Sequence, residues 1–274
     1  MQNSNPPSPA LREILHLIAQ GNLSVDEAFE RLANDQMVAI DGATIDLGRA
    51  KRCRFGEVIY GEGKSAALIT NIAREQLAYG QPVLITRLAE AVALEVASAF
   101  PHVRHHPIAR TLRISNQPIT NPTNDETPEI KPFRPHVAVV SAGSTDAPVA
   151  AEAVETLGWM NVMTEQYCDI GVAGPQRLLA VVPKLRRACA IVAVAGMEAA
   201  LSSVVGGHVA CPIIAVPTSV GYGTNFGGVT ALLGMLTSCT SNVTVVGIDA
   251  GFKGGYVAGL IATQLEDHII KSRC

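Results

Sequence analysis

The sequence has few aromatic residues, no excess of basic residues and no apolar run long enough to cross a membrane. Aromatic residues make up 4% of the 274 residues although 48% are hydrophobic, so the core must consist mainly of Val, Ala, Ile and Leu. The balance of 21 Lys and Arg against 24 Asp and Glu argues against binding to a nucleic-acid backbone or an anionic membrane surface. The longest apolar stretches, such as residues 188–197, are about as long as a strand, whereas a membrane helix needs about 20 residues.

Several sequence signatures are also missing. The six cysteines form no CxxC pair and show no metal-ligand spacing, and the N-terminus has no charged segment followed by an apolar one. These absences predict a protein of the reducing cytoplasm. Neither GxGxxG nor GxxxxGK[ST] occurs, which excludes a standard dinucleotide fingerprint and a P-loop.

The N-terminal part predicts a helical hairpin followed by a small α+β unit. Residues 1–8 are polar and proline-rich, which is typical of a frayed tail. Two helices are expected within residues 11–33, because Gly21 interrupts the apolar periodicity and Ser24 with Glu27 matches a capping box. The segments VIYGEG, PVLITR and RTLRIS predict strands, and helices are expected at residues 65–79 and 88–100.

A polar segment divides the chain. Residues 116–135 concentrate Pro, Asn, Thr and acidic residues without hydrophobic periodicity, which is typical of an exposed linker. We therefore predict an N-terminal domain at residues 1–125 and a C-terminal domain at residues 126–274.

The C-terminal part alternates apolar strands, glycine turns and amphipathic helices about five times from His136 onward. Strands that are apolar throughout and are joined by helices predict a mostly parallel sheet covered on both faces. The expected fold is a three-layer α/β/α domain of the Rossmann or flavodoxin type. In such a fold the ligand crevice lies at the carboxyl ends of the strands.

The predicted strand ends are rich in small residues, hydroxyls and carboxylates. Glycine and serine at these positions let backbone N–H groups approach a phosphate at a helix N-terminus, although any one glycine could simply permit a sharp turn. Five such loops on one rim favour a nucleotide site. The candidate binding residues there are Ser141, Gly143, Ser144, Thr145, Asp169, Arg177, Gly196, Met197, Pro217, Thr218, Ser219, Gly221 and Tyr222.

Three side chains are candidates for chemistry. Asp146 and Glu198 follow strands, where partial desolvation can bring a carboxyl pKa into the range useful for proton transfer; the alternative role is helix capping. Cys239 lies among Ser and Thr before a predicted strand, where a thiolate could act as a nucleophile; the alternative role is inert packing. The inert role fits Cys189 and Cys211 better, since each begins a strand.

The N-terminal part contains two clusters of polar side chains, one rich in histidine and one rich in charged residues. The HVRHH segment at residues 102–106 has no secured spacing and no further ligand nearby, so we predict a solvated loop rather than a metal site. Arg52 and Arg54 lie in a stretch of interleaved arginines and carboxylates, which could clamp a phosphate or a pyridine carboxylate or could form an ordinary charged face.

A family resemblance rests on long segments of this sequence. From about Asp46 onward the chain resembles the LarB family, and its C-terminal domain resembles PurE-type aminoimidazole ribonucleotide carboxylases. The segments that carry the resemblance are DLGRAKRCRFGEVIYGEGK, SAGSTDAPVAAEA, GVAGPQRLL, VAVAGMEAALSSVVGGHV and PIIAVPTSVGYGTNFGGVTALLGMLTSCTSNVTVVGIDAGFKGGYVA.

The resemblance implies the first step in the synthesis of a nickel-pincer nucleotide cofactor. The substrate would be nicotinic acid adenine dinucleotide, carboxylated on its pyridinium ring and cleaved at its pyrophosphate. The co-substrate would be carbon dioxide or bicarbonate, Mg²⁺ would assist, and the products would be the pyridinium dicarboxylate mononucleotide and AMP. The resemblance also implies a homo-oligomer, an octamer in related domains.

Residue roles follow from the same resemblance. Cys239 would be the nucleophile and Glu198 the acid and base, with Asp146 in proton transfer or metal positioning. The chain departs from the family pattern at Gln176, where histidine is usual, and in RFGEV, where GFPEV is usual. A glutamine amide cannot titrate, so residue 176 has no proton-transfer role.

Two other functions are compatible with the sequence. One is a PurE-like carboxylase or mutase acting on aminoimidazole ribonucleotide, whose electron-rich ring needs no thiol. The other is a nucleotide-binding protein without catalysis, in which the N-terminal part supplies a partner surface.

Overall fold

The structure is a computed structural model that describes residues 9–28, 37–122 and 134–272. The tail expected at residues 1–8 and the domain boundary expected between residues 125 and 126 lie outside these ranges. Within them, no helix combines the length and the apolar character needed to span a membrane.

The chain begins with the helical hairpin expected from the sequence. Helix α1 spans Pro9–Ala19, and Gly21 adopts the left-handed φ of 72° that ends it. The Ser24 backbone N–H donates to the Glu27 carboxylate at 2.9 Å, and the Glu27 N–H donates to Ser24 Oγ at 3.2 Å, which confirms the capping box. Residues 25–28 are helical, and the remainder of the expected second helix lies outside the described residues.

A small α+β unit follows, built on a four-stranded sheet of order β3-β4-β6-β5. Its elements are β1 (Met37–Ile40), β2 (Ala43–Asp46), α2 (Arg49–Cys53), β3 (Ile59–Tyr60), α3 (Ala66–Ala78), β4 (Val83–Thr86), α4 (Glu90–Ala97), β5 (Val103–His106) and β6 (Thr111–Ile114). The β1–β2 hairpin forms a separate two-stranded sheet. Strands β3 and β4 are parallel, and the other pairs of the larger sheet are antiparallel.

The prediction of a solvated loop for the HVRHH segment was wrong in part. Residues 103–106 form β5, which pairs antiparallel with β6 at the edge of the sheet. An edge strand is half solvated and needs no continuous apolar pattern. The hydrophobic pattern of the sequence therefore did not reveal β5.

The C-terminal part is a five-stranded, fully parallel sheet of order β11-β10-β9-β7-β8 with helices on both faces, which confirms the α/β prediction. Its elements are β7 (His136–Ser141), α5 (Ala147–Trp159), β8 (Met163–Tyr167), α6 (Pro175–Leu185), β9 (Ala190–Ala195), α7 (Leu201–Gly206), β10 (Ile213–Pro217), α8 (Val229–Leu236), β11 (Val243–Val245) and α9 (Gly251–Lys271). Strand β8 lies on one side of β7 and strands β9 to β11 lie on the other. The strand order therefore reverses between β7 and β9, where a crevice is expected.

The core of this sheet alternates between two apolar layers. Val137 and Val139 of β7 pack into one layer, whereas Ala138 and Val140 pack into the other. Helices α5 and α9 approach closely on one face, since a Cβ added at Gly255 would lie 2.7 Å from the Ala153 carbonyl oxygen. Burial of apolar surface on both sides holds the strands rigidly and fixes the loops that follow them.

The N-terminal sheet packs against α5 of the C-terminal part. Leu84 of β4 lies in the same apolar cluster as Val137 and Ala150. The Trp159 indole Nε1 donates to the Pro82 carbonyl at 3.0 Å. The two parts of the chain are therefore joined by both apolar and polar contacts.

Buried His136 should make stability depend on pH. Burial lowers the pKa of His136 from its usual value, so below about pH 6.5 the unfolded chain takes up a proton that the folded chain resists. The free energy of unfolding should then fall as the pH drops, with a slope of at most about 1.4 kcal/mol per pH unit. His136→Gln should weaken this dependence in melting experiments between pH 5 and 7.5; an unchanged dependence would contradict the assignment.

Candidate functional site

A cavity of about 240 Å³ opens at the carboxyl ends of the parallel strands, at the point where the strand order reverses. Its walls come from the loops after β7, β8, β9 and β10. They are Ala142, Gly143, Thr145, Asp146, Gly171, Val172, Ala173, Arg177, Ala195, Gly196, Met197, Glu198, Ala199, Ala200, Leu201 and Val220.

Asp146 ties the first of these loops to the fourth. Its side chain is buried at 3% exposure. One carboxylate oxygen accepts the Gly143 backbone N–H at 2.9 Å, and the other accepts the Thr218 hydroxyl at 2.7 Å. Asp146 therefore also has part of the helix-capping role that the sequence left open. Its contact with the Gly143 N–H closes a short 3₁₀ turn at Ser144–Asp146.

Glu198 presents a carboxylate to the open side of the cavity. It lines the cavity and is exposed, so the partial desolvation expected for it is absent. Among the residues described, it makes no hydrogen bond or ion pair. A carboxylate held in this way remains available to accept a proton from a bound molecule or to bind a cation.

The loop that carries Glu198 leaves β9 through a tight backbone contact. Met197 has a left-handed φ of 53°, and its N–H donates to the Val220 carbonyl at 3.0 Å. A Cβ on Gly196 would lie 2.3 Å from the Val220 carbonyl oxygen and 2.7 Å from Thr218 Oγ1. A glycine is therefore required at position 196 for the two loops to meet.

Substitution of Gly196 by alanine should separate these loops. We expect the free energy of unfolding to fall by about 1–3 kcal/mol through overpacking, together with a loss of the nucleotide binding that the strand-end loops predict. Thermal melts and calorimetric titration with AMP would measure both effects. Gly207→Ala is the matched control, since a Cβ there meets nothing closer than 3.5 Å. Equal stability and binding in the two variants would show that the loop contact is unimportant.

Arg177 and Asp169 form an ion pair at the mouth of the cavity. Arg177 lines the cavity, and Asp169 adopts a left-handed φ of 58° beyond it. The sequence left open whether these residues bind ribose and phosphate or pair with each other, and the structure shows the pair. Both side chains are exposed, so the pair is weak and a phosphate could displace the carboxylate from the guanidinium.

The cavity gathers about half of the residues predicted from the strand-end loops. Gly143, Thr145, Asp146, Arg177, Gly196, Met197 and Glu198 line it. Ser141 is buried in β7 and Pro217 in β10, while Ser144, Asp169, Thr218, Ser219, Gly221 and Tyr222 belong to the same set of loops without lining it. The lining residues missed from sequence are apolar or small, among them Val172, Leu201 and Val220, and no polar signature marks them.

Arg52 and Arg54 do not line the cavity. Arg52 pairs with Asp46, and Arg54 pairs with Asp267 near the end of α9. Their guanidinium groups are therefore engaged within the chain, and a role in substrate binding stays a prediction.

The thiols divide into two classes. Burial raises the pKa of Cys189 to about 11 and also raises the pKa of Cys211, so both are protonated and unreactive at neutral pH. Cys239 and Cys168 are exposed. Cys168 follows β8 and lies at the end of the sheet that carries the cavity. Cys239 lies between α8 and β11 and does not line the cavity, and the neighbouring Ser238 hydroxyl lies 2.7 Å from Ser203 Oγ on α7.

The described ranges contain no group of three or more His, Cys, Asp or Glu side chains placed to hold a metal ion. The Nδ1 of His106 in β5 accepts the Ala109 backbone N–H, so this ring nitrogen stabilises the turn that follows β5. A dedicated metal cage is not part of this portion of the chain.

The parallel sheet, the cavity at its reversal point and the two acids there define an α/β fold with a crevice at the carboxyl ends of its strands. Residues 136–272 match the family model for AIR carboxylase, and residues 37–117 match the model for the LarB/PurE-like N-terminal domain. The AIR carboxylase match indicates a carboxylase-type enzyme. The chain belongs to the LarB family.

One relative and two solved structures resemble this chain over different extents. An uncharacterised protein of Methanocaldococcus jannaschii is 35% identical over 263 residues, covering 92% of this chain and 96% of the relative. Crystal structures of a substituted variant of Treponema denticola PurE2 and of Treponema denticola PurE share 17% and 18% identity with this chain, with TM-scores of 0.39 and 0.38. They cover 51% and 50% of this chain and 94% of each of those chains.

Proposed function

We propose that this protein carboxylates the pyridinium ring of nicotinic acid adenine dinucleotide and hydrolyses its phosphoanhydride. The products are the pyridinium-3,5-dicarboxylate mononucleotide and AMP, which begins the synthesis of a nickel-pincer nucleotide cofactor. The observation that carries the proposal is the occurrence, in one chain, of a LarB-type N-terminal domain and an AIR carboxylase domain whose strand-end cavity holds Asp146 and Glu198.

The chemistry requires a nucleophile before carbon dioxide can react. A pyridinium ring is electron-poor and does not attack carbon dioxide directly. Addition of a thiolate at ring C4 gives a neutral dihydropyridine whose C5 is an electron-rich enamine carbon. C5 then forms a bond to carbon dioxide, a base removes the C5 proton, and expulsion of the thiolate restores the aromatic cation.

Cys239 is the proposed nucleophile and Glu198 the proposed base. Glu198 lines the cavity with a free carboxylate, which suits removal of the C5 proton. Asp146 keeps the loops in place through Gly143 and Thr218 and supplies negative charge near the reacting ring. Gln176 is exposed beside Arg177 and cannot take part in proton transfer.

The position of Cys239 calls for a second copy of the chain. Within one chain Cys239 is not among the residues that line the cavity, so we propose that Cys239 of a neighbouring copy reaches it. Helix α8 supports self-association, since it carries no charged residue and leaves Val229, Leu233 and Leu236 exposed at 41%, 56% and 60%. A homo-oligomer, an octamer by analogy with related domains, would cover this surface; light scattering would measure its mass.

The size of the cavity also fits a shared site. Drug-sized ligands occupy clefts of about 300–1,000 Å³, and the cavity measures about 240 Å³. It therefore accommodates part of a dinucleotide. The remainder would extend across the loop after β10, where Tyr222 is 84% exposed and could stack on an aromatic ring.

Mg²⁺ is proposed to enter with the pyrophosphate of the substrate. Mg²⁺ sites commonly use one or two protein carboxylates together with substrate phosphates and water. Mg²⁺ held mainly by the substrate's phosphates and by water would need no cluster of protein ligands, and the described residues contain none. Bound there, the ion would neutralise phosphate charge and polarise the phosphoanhydride for attack by water.

A direct assay tests the proposal. The protein would be incubated with nicotinic acid adenine dinucleotide, bicarbonate and Mg²⁺, with AMP and the pyridinium product followed by mass spectrometry. Formation of AMP together with a mononucleotide one carboxylate heavier than nicotinate mononucleotide is the expected result. Absence of both, with turnover of aminoimidazole ribonucleotide, would assign the PurE-like reaction instead, and nucleotide binding without either turnover would indicate a non-catalytic role.

A further inference from the structure

Arg87 joins the N-terminal domain to the C-terminal domain at two points. It follows β4, and its Nε donates to the Glu152 carboxylate on α5 at 3.1 Å. Its terminal nitrogen donates to the backbone carbonyl of Asp249, which follows β11. Arg87 holds a left-handed φ of 55°, an uncommon conformation for a long side chain that must be maintained by its surroundings.

Both contacts fix the segment that connects β11 to α9. Glu152 is buried, with its side chain 5% exposed, and its second oxygen accepts the backbone N–H of Phe252 at 3.0 Å. Asp249 in turn donates its N–H to the Pro217 carbonyl at 2.8 Å. One guanidinium therefore holds the carbonyl of Asp249 directly and the first turn of α9 through Glu152.

A continuous set of hydrogen bonds leads from this segment to the cavity. The Asp249 carboxylate accepts the Ser219 N–H at 2.8 Å, which orients the loop after β10. The preceding residue, Thr218, donates to Asp146 at 2.7 Å, and the following one, Val220, accepts from the N–H of Met197. Asp146, Val220 and Met197 all line the cavity.

We propose that Arg87 is a positioning residue through which the N-terminal domain holds the loops after β10 and β11 in the geometry that the cavity requires. The catalytic consequence rests on the proposed function, whereas the structural consequence does not. This assigns the N-terminal domain a part in forming the site, although none of its residues lines the cavity within the described chain.

The chain offers a matched comparison in Arg104. It lies on β5 and donates through two nitrogens to Glu155, which is buried on α5 one turn beyond Glu152. Within the described residues the Arg104 side chain donates hydrogen bonds to Glu155 alone. Loss of either arginine removes one ion pair from the same domain interface, but only the loss of Arg87 should reach the strand-end loops.

Hydrogen–deuterium exchange without substrate tests the structural part. In Arg87→Gln, peptides covering residues 216–222 and 249–253 should exchange about tenfold faster than in wild type, because the Ser219 and Phe252 amides lose their fixed acceptors. In Arg104→Gln these peptides should exchange at the wild-type rate. Equal exchange in the two variants, fast or slow, would overturn the proposal. If Arg87→Gln does not fold, Arg87→Lys replaces it, since a single ammonium cannot span both acceptors.

Kinetics with nicotinic acid adenine dinucleotide and bicarbonate test the catalytic part. Arg87→Gln should lower kcat about 100-fold, as expected for a misplaced reacting group, while Arg104→Gln keeps wild-type kcat. Equal kcat in both variants would refute the catalytic role. If wild type does not turn over this substrate at all, the proposed function fails, and the exchange result still decides whether Arg87 holds the loops.

Discussion

Replacement of Cys239 by serine is expected to abolish ring carboxylation while leaving the fold unchanged. The thiol is exposed, so its loss removes no packing, and a serine hydroxyl is too weak a nucleophile to add to the pyridinium ring. Turnover should fall by about 10⁴-fold or more, the scale seen when an essential nucleophile is removed. Mass spectrometry of the product and a melting curve would measure both quantities.

Two other exposed thiols serve as comparisons. Cys53→Ser should retain full activity, because Cys53 lies at the end of α2 and its contact with Tyr256 uses only the backbone carbonyl. Cys168→Ser is the more demanding comparison, since Cys168 lies at the cavity end of the sheet in the same chain. Activity retained in Cys239→Ser and lost in Cys168→Ser would transfer the nucleophile to Cys168 and remove the need for a second copy.

Replacement of Glu198 by glutamine should produce the second large effect. A positioned general base contributes about 10²–10⁴ to the rate, and glutamine keeps the shape while losing the basic oxygen. The melting temperature should stay unchanged, because Glu198 is exposed and has no hydrogen-bond partner among the described residues.

The two variants should stop the reaction at different steps. Without a base, the ring can still accept the thiolate, so Glu198→Gln should accumulate protein carrying the covalently attached nucleotide, visible in the intact mass. Cys239→Ser should show no such species. Wild-type turnover in Glu198→Gln would exclude this carboxylate as the base, and a loss of activity without accumulation would place its role before thiolate addition.

The sequence predicted the C-terminal sheet because its strands are apolar along their whole length. All six residues of β9 are buried, so no alternation was needed to recognise it. The β1–β2 hairpin and β5 escaped prediction for the opposite reason. Their residues are partly exposed, and pairing at an edge leaves little hydrophobic pattern.

The sequence predicted the position of a site residue only where that residue directly follows a parallel strand. Asp146 and Glu198 follow parallel strands and therefore meet at one end of the sheet. Cys239 precedes a strand, so the same rule does not place it at that end, and within one chain it does not line the cavity. The role of Arg87 could not be predicted, because it depends on how two domains pack, and the segment ITRLAE carries no signature of a site.

The most direct test of the account uses bicarbonate labelled with ¹³C. The purified protein would be incubated with nicotinic acid adenine dinucleotide, Mg²⁺ and the labelled bicarbonate, and the pyridinium product examined by mass spectrometry and ¹³C NMR. We expect a single labelled carboxylate on the ring carbon that forms the enamine, with one AMP released per labelled product. Release of AMP with unlabelled nicotinate mononucleotide would contradict it, since the protein would then hydrolyse the dinucleotide without forming a carbon–carbon bond.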